Sequence, residues 1–241
     1  MDARAEHKER RALRLSNVGV SYERRHGLFR RQQFWALEDV SFSLFHGETL
    51  GVIGRNGAGK STLLRLLAGI IGPDRGEVKR FGCRASLLSL QAGFLPRLTG
   101  RENAILSGVL LGLSREFVLE QMSSIIAFSE LEDAIDEPLH SYSAGMKARL
   151  GFSVAFQADP DILLVDEVLG VGDPEFRQKS AAALRERIES DKTVVLVSHN
   201  LDVVRALCDR LVWIKDRRTC QEGPTDEVLG AYQDDVAAKP A

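Results

Sequence analysis

Cysteine, long apolar runs and an excess of charge of either sign are all scarce in this sequence. Three cysteines occur among 241 residues, at Cys83, Cys208 and Cys220, without the spacing of a metal site or a disulfide framework, so we expect a reducing compartment. The best apolar run, 109–113, is far shorter than the roughly 18 residues of a membrane-spanning helix. The N-terminal segment 1–11 also lacks the apolar stretch of a signal peptide. A role at a membrane would therefore come through a partner.

The balance of charge also argues against one class of protein. The net charge is −2, which argues against a nucleic-acid binder that works through a broadly basic surface, although it leaves room for a local basic patch. A content of 44% hydrophobic and 27% charged residues is typical of a globular protein. The length allows one α/β domain with a subdomain, and we find no internal repeat or low-complexity segment.

A glycine-rich segment follows the apolar run 50–53 and precedes a run of leucines. Its residues are Gly54, Arg55, Asn56, Gly57, Ala58, Gly59, Lys60, Ser61 and Thr62. Glycines let successive backbone N–H groups converge on an anion, and the dipole of the following helix adds positive potential. Lys60 would reach the β- and γ-phosphates of a nucleotide, and the Ser61 hydroxyl would complete a magnesium shell. The pattern predicts a phosphate-binding loop, with an ordinary strand-to-helix turn as the alternative.

Two adjacent carboxylates follow another apolar run, 162–165. Asp166 and Glu167 therefore stand at the C-terminal end of a predicted buried strand, where ligands bind in open α/β sheets. Asp166 suits a role linked to magnesium, and Glu167 is positioned to polarise an attacking water as general base. The alternative is a strand that ends in a solvated acidic turn.

Apolar runs and turn residues outline the remaining elements. They predict strands over 13–22, 36–44, 77–80, 162–165, 193–197 and 211–214. Between the first two lies the basic segment 23–33, which we interpret as a loop. Thr99 and Glu102 form a capping box, so a helix should begin there, and a second helix should follow Ser114 within a helical insert. The apolar face of the first of these helices consists of Ile105, Leu106, Val109 and Leu110.

Two more motifs make the pattern recognisable. Tyr142-Ser143-Ala144-Gly145-Met146 stands before the strand that ends at Asp166, and Ser198-His199-Asn200 ends the next strand. With these motifs the chain resembles the nucleotide-binding subunit of the ATP-binding cassette transporter family, over about 13–229. The resemblance implies an α/β fold: a P-loop NTPase core with a mostly parallel sheet, an antiparallel β-subdomain and an inserted α-helical subdomain.

The resemblance also implies a homodimer in which two chains sandwich two molecules of ATP, with Mg²⁺ as cofactor. The helix that begins at Ser143 and Gly145 would face the γ-phosphate held by the other subunit. The family's usual Leu-Ser-Gly-Gly-Gln is altered here at three positions, Tyr142, Ala144 and Met146.

Four single residues receive roles from the same resemblance. His199 would contact the γ-phosphate and orient the attacking water, and Asp173 would meet the phosphate loop of the partner. Gln91 would sense magnesium and couple to the membrane subunit. Tyr22 would stack on adenine, with Phe34 and Trp35 as alternatives.

One branch of the family fits best. Segments 92–103, 142–146 and 166–173 are similar to those of bacterial exporters of O-antigen, capsule or teichoic acid chains. The resemblance implies an ATPase at the cytoplasmic face of the inner membrane, peripheral to it, that drives export of a lipid-linked polysaccharide through a separate integral-membrane permease, with no nucleic acid as partner. The alternatives are a cassette motor for another exported substrate and a soluble cassette ATPase that acts on nucleic acid.

We expect one domain over residues 1–241. It would comprise a flexible tail (1–12), a catalytic core (13–91 and 150–222), a helical subdomain (92–149) and a C-terminal helix and tail (223–241). The basic segment 23–33 would either contact anionic headgroups and the pyrophosphate of a lipid-linked substrate or remain a solvated run of charge. Some exporters of this branch add a C-terminal carbohydrate-binding domain, which we do not expect in a sequence that ends at Ala241.

Overall fold

The computed structural model describes residues 10–26, 30–88, 93–166 and 173–238, and for residues 24–26 and 30–32 it describes the backbone alone. The strands are β1 (Arg11–His26), β2 (Arg30–Phe45), β3 (Thr49–Ile53), β4 (Arg75–Arg80), β5 (Ala85–Leu87), β6 (Ile162–Asp166), β7 (Thr193–Val197), β8 (Arg210–Lys215) and β9 (Arg218–Pro224). The α-helices are α1 (Lys60–Leu67), α2 (Gly100–Leu110), α3 (Arg115–Glu120), α4 (Met122–Ser129), α5 (Ala144–Phe156), α6 (Pro174–Glu189), α7 (Leu201–Leu207) and α8 (Thr225–Ala238). A single 3₁₀ turn, Leu139–Ser141, precedes α5.

The strands form one nine-stranded sheet in the order β4-β1-β2-β9-β8-β3-β7-β6-β5. Strands β8, β3, β7, β6 and β5 pair in parallel, whereas β4, β1 and β2 pair antiparallel. Strands β3 and β7 are buried along their whole length, as expected for parallel strands covered on both faces. This topology confirms the predicted α/β fold with a mostly parallel sheet and an antiparallel part.

The basic segment 23–33 corrects one prediction. We expected a loop there, but β1 continues to His26 and β2 begins at Arg30, with Arg25 opposite Arg31 in the register. Backbone hydrogen bonds alone can extend a hairpin, so a charged sequence does not end it. Residues 27–29 lie outside the described residues. The segment is therefore a two-stranded arm rather than a loop.

The chain divides into two compact units. The sheet unit comprises the described residues within Met1–Leu87, Asp161–Glu167 and Arg187–Ala241, and the helical unit comprises those within Leu88–Pro160 and Val168–Glu186. The core of the sheet unit packs the leucines of α1 against strands β1 to β3 and β6 to β8. The core of the helical unit joins α2 to α5 through apolar side chains that include Ile125, Leu139 and Leu150. No helix among the residues described is long and apolar enough to span a membrane.

Helix α2 begins where the capping box predicted it, at Thr99, whose hydroxyl accepts from the Glu102 amide. The helix buries only part of the predicted apolar face, on which Ile105 packs against the core of the unit. Val109 and Leu110 are 46% and 59% exposed, whereas the small residues Ala104 and Gly108 are buried. A Cβ at Gly108 would lie 2.5 Å from a methyl carbon of Val118, so α2 and α3 approach too closely there for a larger side chain. Close packing on small residues has therefore replaced the C-terminal half of the predicted apolar face, Val109 and Leu110.

Candidate active site

Strand register aligns the predicted site in the sheet unit. Val52 of β3 lies opposite Val197 of β7, and Val197 lies opposite Asp166 of β6. The glycine-rich loop begins two residues after Val52, and His199 follows Val197 by two residues. Because parallel strands end at the same edge of a sheet, the loop, Asp166 and His199 lie at one edge.

The phosphate loop has the backbone that a cradle for an anion requires. Gly57 and Gly59 have φ values of 80° and 101°, in the left-handed region that favours glycine. A Cβ at Gly59 would lie 2.4 Å from the carbonyl oxygen of Ala36, whereas at Gly57 no heavy atom lies within 4 Å. Gly59 therefore allows the loop to pack on β2, and Gly57 leaves open space above it.

Lys60 is the first residue of α1 and is only 7% exposed. Its Nζ donates to the carbonyl oxygens of Gly54 (2.7 Å) and Arg55 (3.1 Å). A buried ammonium group is therefore held across the loop by the loop's own carbonyls. This position suits a contact with a phosphate oxygen.

These residues line one cleft of about 580 Å³. The predicted site residues among its lining are Tyr22, Asn56, Gly57, Gly59, Lys60, Ser61, Thr62, Asp166 and His199. Phe34, Ala36 and Val197 complete the wall. The volume is within the usual range for small-molecule and cofactor sites. The sheet unit thus gathers phosphate-loop, acidic and histidine residues around a single space.

Of the three aromatic residues proposed to stack on adenine, two line the cleft and one does not. Tyr22 lies directly opposite Phe34 in the β1–β2 register, and both line the cleft. Trp35 lies opposite Ser21, one residue out of phase, and its ring packs under the guanidinium of Arg75 at 3.9 Å. Because successive side chains of a strand face opposite sides, Trp35 is outside the cleft. Tyr22 and Phe34 remain as candidates for stacking on a base.

The helical unit holds the motif around Ser143. Ser143 is the N-cap of α5, where its hydroxyl accepts from the amide of Met146 at 3.1 Å. Ser143 is exposed and Gly145 half-buried, so the first turn of the helix is accessible. Tyr142, one of the three departures from the family pattern, is 4% exposed and donates its hydroxyl to the carbonyl of Ala134 at 2.5 Å. The tyrosine thus anchors the chain that enters the helix.

Asp173 opens α6 in the same unit. Its Oδ1 accepts from the backbone N–H of Phe176 at 3.0 Å, and Arg149 lies 3.9 Å from its other oxygen. The Phe176 amide and the Arg149 guanidinium hold the pKa of Asp173 below its usual value. The carboxylate is exposed and ionised at neutral pH.

Two predicted residues, Gln91 and Glu167, lie outside the described residues. Their assigned roles stay predictions. Glu167 directly follows Asp166, the last residue of β6.

Asn103 is a residue that the sequence reasoning missed. It is fully buried on α2 and accepts from the amide of Leu95, while its side-chain amide donates to the carbonyls of Leu95, Leu98 and Thr99. It therefore folds the segment 95–99 onto the helix start. The local sequence offers little signal, because Asn103 directly follows the polar residues Arg101 and Glu102 at the start of the helix.

Segment 95–99 is bonded in turn to the chain that leads into the Ser143 motif. The amide of Leu139 donates to the Leu98 carbonyl at 2.8 Å, and that of His140 donates to the Pro96 carbonyl at 2.9 Å. Thr99 and Pro138 also form an antiparallel bridge. Within the helical unit, therefore, backbone hydrogen bonds connect the exposed Pro96 region to Leu139 and His140, four and three positions before Ser143.

The cleft fits a nucleotide with a divalent cation. Its glycine cradle and Lys60 suit phosphate groups, and its paired aromatic residues suit a base. Ser61 and Asp166 offer a hydroxyl and a carboxylate oxygen in the same space, which are the hard ligands that Mg²⁺ prefers.

Comparisons with known proteins agree with this geometry. A family model described as ABC transporter matches residues 37–170. The chain is 48% identical over 210 residues to the O-antigen export system ATP-binding protein RfbB of Klebsiella pneumoniae, which covers 87% of this chain and 85% of that protein. It is 42% identical over 205 residues to the teichoic acids export ATP-binding protein TagH of Listeria monocytogenes serotype 4b, which covers 85% of this chain and 61% of that protein.

Solved structures show the same architecture. The dimeric ATP-binding cassette MJ0796, in a post-hydrolysis state bound to ADP and Pi, superposes with a TM-score of 0.68 at 25% identity, covering 88% of this chain and 98% of that one. The cbiO1 protein of Clostridium perfringens, part of the cbiONQ complex, has a TM-score of 0.64 at 20% identity and covers 93% of each chain. The second likeness supports the fold alone.

Proposed function

The chain belongs to the ABC transporter family, and from that membership we propose that it is the ATP-hydrolysing subunit of an exporter of lipid-linked, O-antigen-like polysaccharide. The reaction is ATP plus water to ADP and phosphate. The observation that carries the proposal is the cleft, in which the phosphate loop, Asp166 and His199 line one space. The names of the relatives in Klebsiella and Listeria support the polysaccharide as cargo.

In the proposed mechanism the loop amides and Lys60 bind the phosphates, and Tyr22 or Phe34 stacks on the adenine. Glu167 takes a proton from the attacking water, whose oxygen displaces ADP from the γ-phosphorus, while His199 orients that water. When bound at Ser61 and Asp166, Mg²⁺ would neutralise charge on the phosphate oxygens. Electrostatic stabilisation and positioning account for most of the acceleration in reactions of this type.

The proposal includes a second copy of the chain. The first turn of α5 is exposed and is capped by Ser143. The positive end of its helix dipole suits a γ-phosphate held by the partner. Asp173 would lie at the same interface and meet the partner's phosphate loop. A dimeric relative bound to ADP and Pi supports this arrangement.

The proposal also includes a permease and a peripheral position at the inner membrane. Segment 95–103 is the candidate for contact with the permease, because it exposes Leu95 and Arg97 and is bonded to the chain that leads into Ser143. A push on this segment would therefore reach the γ-phosphate-binding helix through backbone hydrogen bonds. Gln91, just before this segment, would sense magnesium.

Two measurements test the proposal. The purified chain should release phosphate from ATP, and Lys60→Ala should abolish that release, whereas Lys79→Ala, an exposed lysine on β4, should not. Cells without the gene should lose the polymer from their surface and regain it with the wild-type gene. ATPase activity without any change in surface polymer would favour another exported substrate.

A further inference from the structure

Four phenylalanines hold helices α4, α5 and α6 of the helical unit together. Phe128 stacks on Phe152 and Phe156 at centroid distances of 5.8 and 5.6 Å, and Phe176 meets Phe128 and Phe152 edge to face. Phe152 and Phe176 are at most 1% exposed. The helix that Ser143 caps is thereby packed against the helix that Asp173 caps.

A chain of charges lies at the edge of this aromatic cluster. Lys179 Nζ donates to Glu130 at 2.6 Å and to the Phe128 carbonyl at 3.0 Å. The other oxygen of Glu130 lies 3.4 Å from Arg149 Nη1, and the same Nη1 lies 3.9 Å from Asp173. Arg149 therefore stands between two carboxylates, and both of its contacts are longer than a good charge-assisted hydrogen bond.

The Nε of Arg149 is buried and has no hydrogen-bond partner among the described residues. A guanidinium can bind one carboxylate through two hydrogen bonds. With one buried N–H unpaired and two long ion pairs, Arg149 makes fewer and weaker hydrogen bonds than its guanidinium allows. Lys179 already neutralises Glu130 closely, so Asp173 is the carboxylate with capacity to accept more from Arg149.

The geometry points to Arg149 as a positioning residue that couples the Ser143 helix to Asp173. It acts from the second turn of α5 on the carboxylate that opens α6, so that the two helix starts meet the second copy of the chain in a fixed relation. This inference rests on the proposed function, in which both helix starts contact the partner subunit. Arg149 itself touches neither nucleotide nor partner in the proposal.

Arg149→Met tests the inference in the full chain. We expect the kcat for ATP to fall by roughly 10- to 100-fold, since a displacement of about an ångström can cost about 10² in rate. The KM should change less, because the substitution leaves the nucleotide cleft of the sheet unit intact. Arg149→Lys should recover only part of the rate, because lysine keeps the charge but lacks the guanidinium fork. Arg177→Met, at an exposed arginine on α6, is the matched control.

A double-mutant cycle identifies the partner of Arg149. If it acts through Asp173, Arg149→Met should lower kcat no further in an Asp173→Asn background. Independent, multiplying effects of the two substitutions would overturn the inference, as would a wild-type kcat in Arg149→Met.

Hydrogen exchange separates this inference from the proposed function. The Phe176 amide, which bonds to Asp173, should exchange several-fold faster in Arg149→Met than in Arg177→Met. Equal exchange would overturn the coupling whatever the ATPase activity. A wild-type chain without ATPase would instead refute the proposed function, while faster exchange in Arg149→Met would still support the contact.

Discussion

The two units build their candidate sites by different means. In the sheet unit, parallel strands of matched register bring the phosphate loop, Asp166 and His199 to one edge, with backbone pairing doing the alignment. In the helical unit, Ser143 and Asp173 are helix caps whose relation depends on side chains, including the phenylalanine cluster, Arg149 and Asn103. Strand register depends on backbone hydrogen bonds, so it survives the substitution of most side chains. The relative position of two helix starts that is held by side chains can be lost when one side chain is changed.

Single substitutions should therefore change the geometry of the candidate site more easily in the helical unit than in the sheet unit. Its polar contacts include long ones, such as the 3.9 Å separation between Arg149 and Asp173. The sheet unit instead holds Lys60 by two hydrogen bonds to its own loop. Hydrolysis would then depend on the sheet unit, and its coupling to the partner subunits would depend on the side-chain contacts of the helical unit.

The largest effect expected is in the sheet unit, at Glu167. Glu167→Gln should lower ATP turnover by about 10²–10⁴, the usual contribution of a positioned general base, and leave ATP binding intact. The ATP-bound variant should accumulate as a dimer on size-exclusion chromatography. Glu175→Gln, an exposed glutamate on α6, is the control. Wild-type turnover in Glu167→Gln would remove this residue from the chemistry.

Mixing variants of the two units tests whether they act across a dimer. Lys60→Ala and Ser143→Arg should each be inactive, but their heterodimer contains one site with both residues intact. After equal mixing, about half of the dimers should be heterodimers, and each of these has one intact site out of two. Up to about one quarter of all sites should therefore regain activity. Phosphate release by the mixture measures this. As a control, Lys60→Ala mixed with the Lys60→Ala, Ser143→Arg double variant should recover no activity, because every site then lacks Lys60. If the mixture of the two single variants is also inactive, Ser143 serves only as a helix cap.

Replacing a buried asparagine of the helical unit should lower the free energy of unfolding more than replacing a helix-capping asparagine of the sheet unit. Asn103→Ala leaves several buried backbone groups unpaired and should cost about 2–4 kcal/mol. Asn200→Ala removes only the N-cap of α7, where Asn200 accepts from the amides of Asp202 and Val203, and should cost about 1 kcal/mol. Urea unfolding of both variants gives the comparison, and equal costs would contradict the claim that side chains hold the helical unit.

Coupling to the permease should be more sensitive than hydrolysis to charge in segment 95–103. Arg97→Glu should lower polymer export roughly fivefold, the effect of about 1 kcal/mol at an interface, and lower basal ATPase by less. Arg97 is a cleaner probe than Arg101, which forms a two-pronged ion pair with Asp136. Arg115→Glu, at another exposed position of the unit, is the control. Equal export by both variants would make segment 95–103 an ordinary solvated surface.

The smallest effect is expected at the basic arm of the sheet unit. The residues to replace by Gln are Arg24, Arg25, Arg30 and Arg31. Surface polymer should fall a few-fold while ATPase in detergent stays unchanged. About 1 kcal/mol for each basic residue near an anionic surface is the upper limit, and because salt screens exposed charges, we expect the four arginines together to contribute about 1 kcal/mol or less. Gln at Arg11 and Arg14, exposed on the same strand, is the control. Unchanged export would show that the arm is only a solvated run of charge.

Motifs that depend on local sequence were predictable. The phosphate loop, the strand that ends at Asp166, the Thr99 capping box and the Ser143 cap all follow from residue types at fixed spacing, and the structure has each of these elements. Glycine conformation, apolar runs and cap chemistry act over a few residues, so no knowledge of distant contacts is needed. Apolar runs also predicted the parallel strands, whereas the full α/β architecture was implied by the resemblance to the ATP-binding cassette family.

Other features were decided only by tertiary structure. The strand order, the choice of Tyr22 and Phe34 over Trp35 and the burial of Ala104 and Gly108 in place of Val109 and Leu110 depend on which surfaces meet. The position of Arg149 between Glu130 and Asp173 joins residues 19 and 24 positions away along the chain. Such contacts depend on the three-dimensional packing of several helices, and a single sequence carries no periodicity or spacing that encodes them.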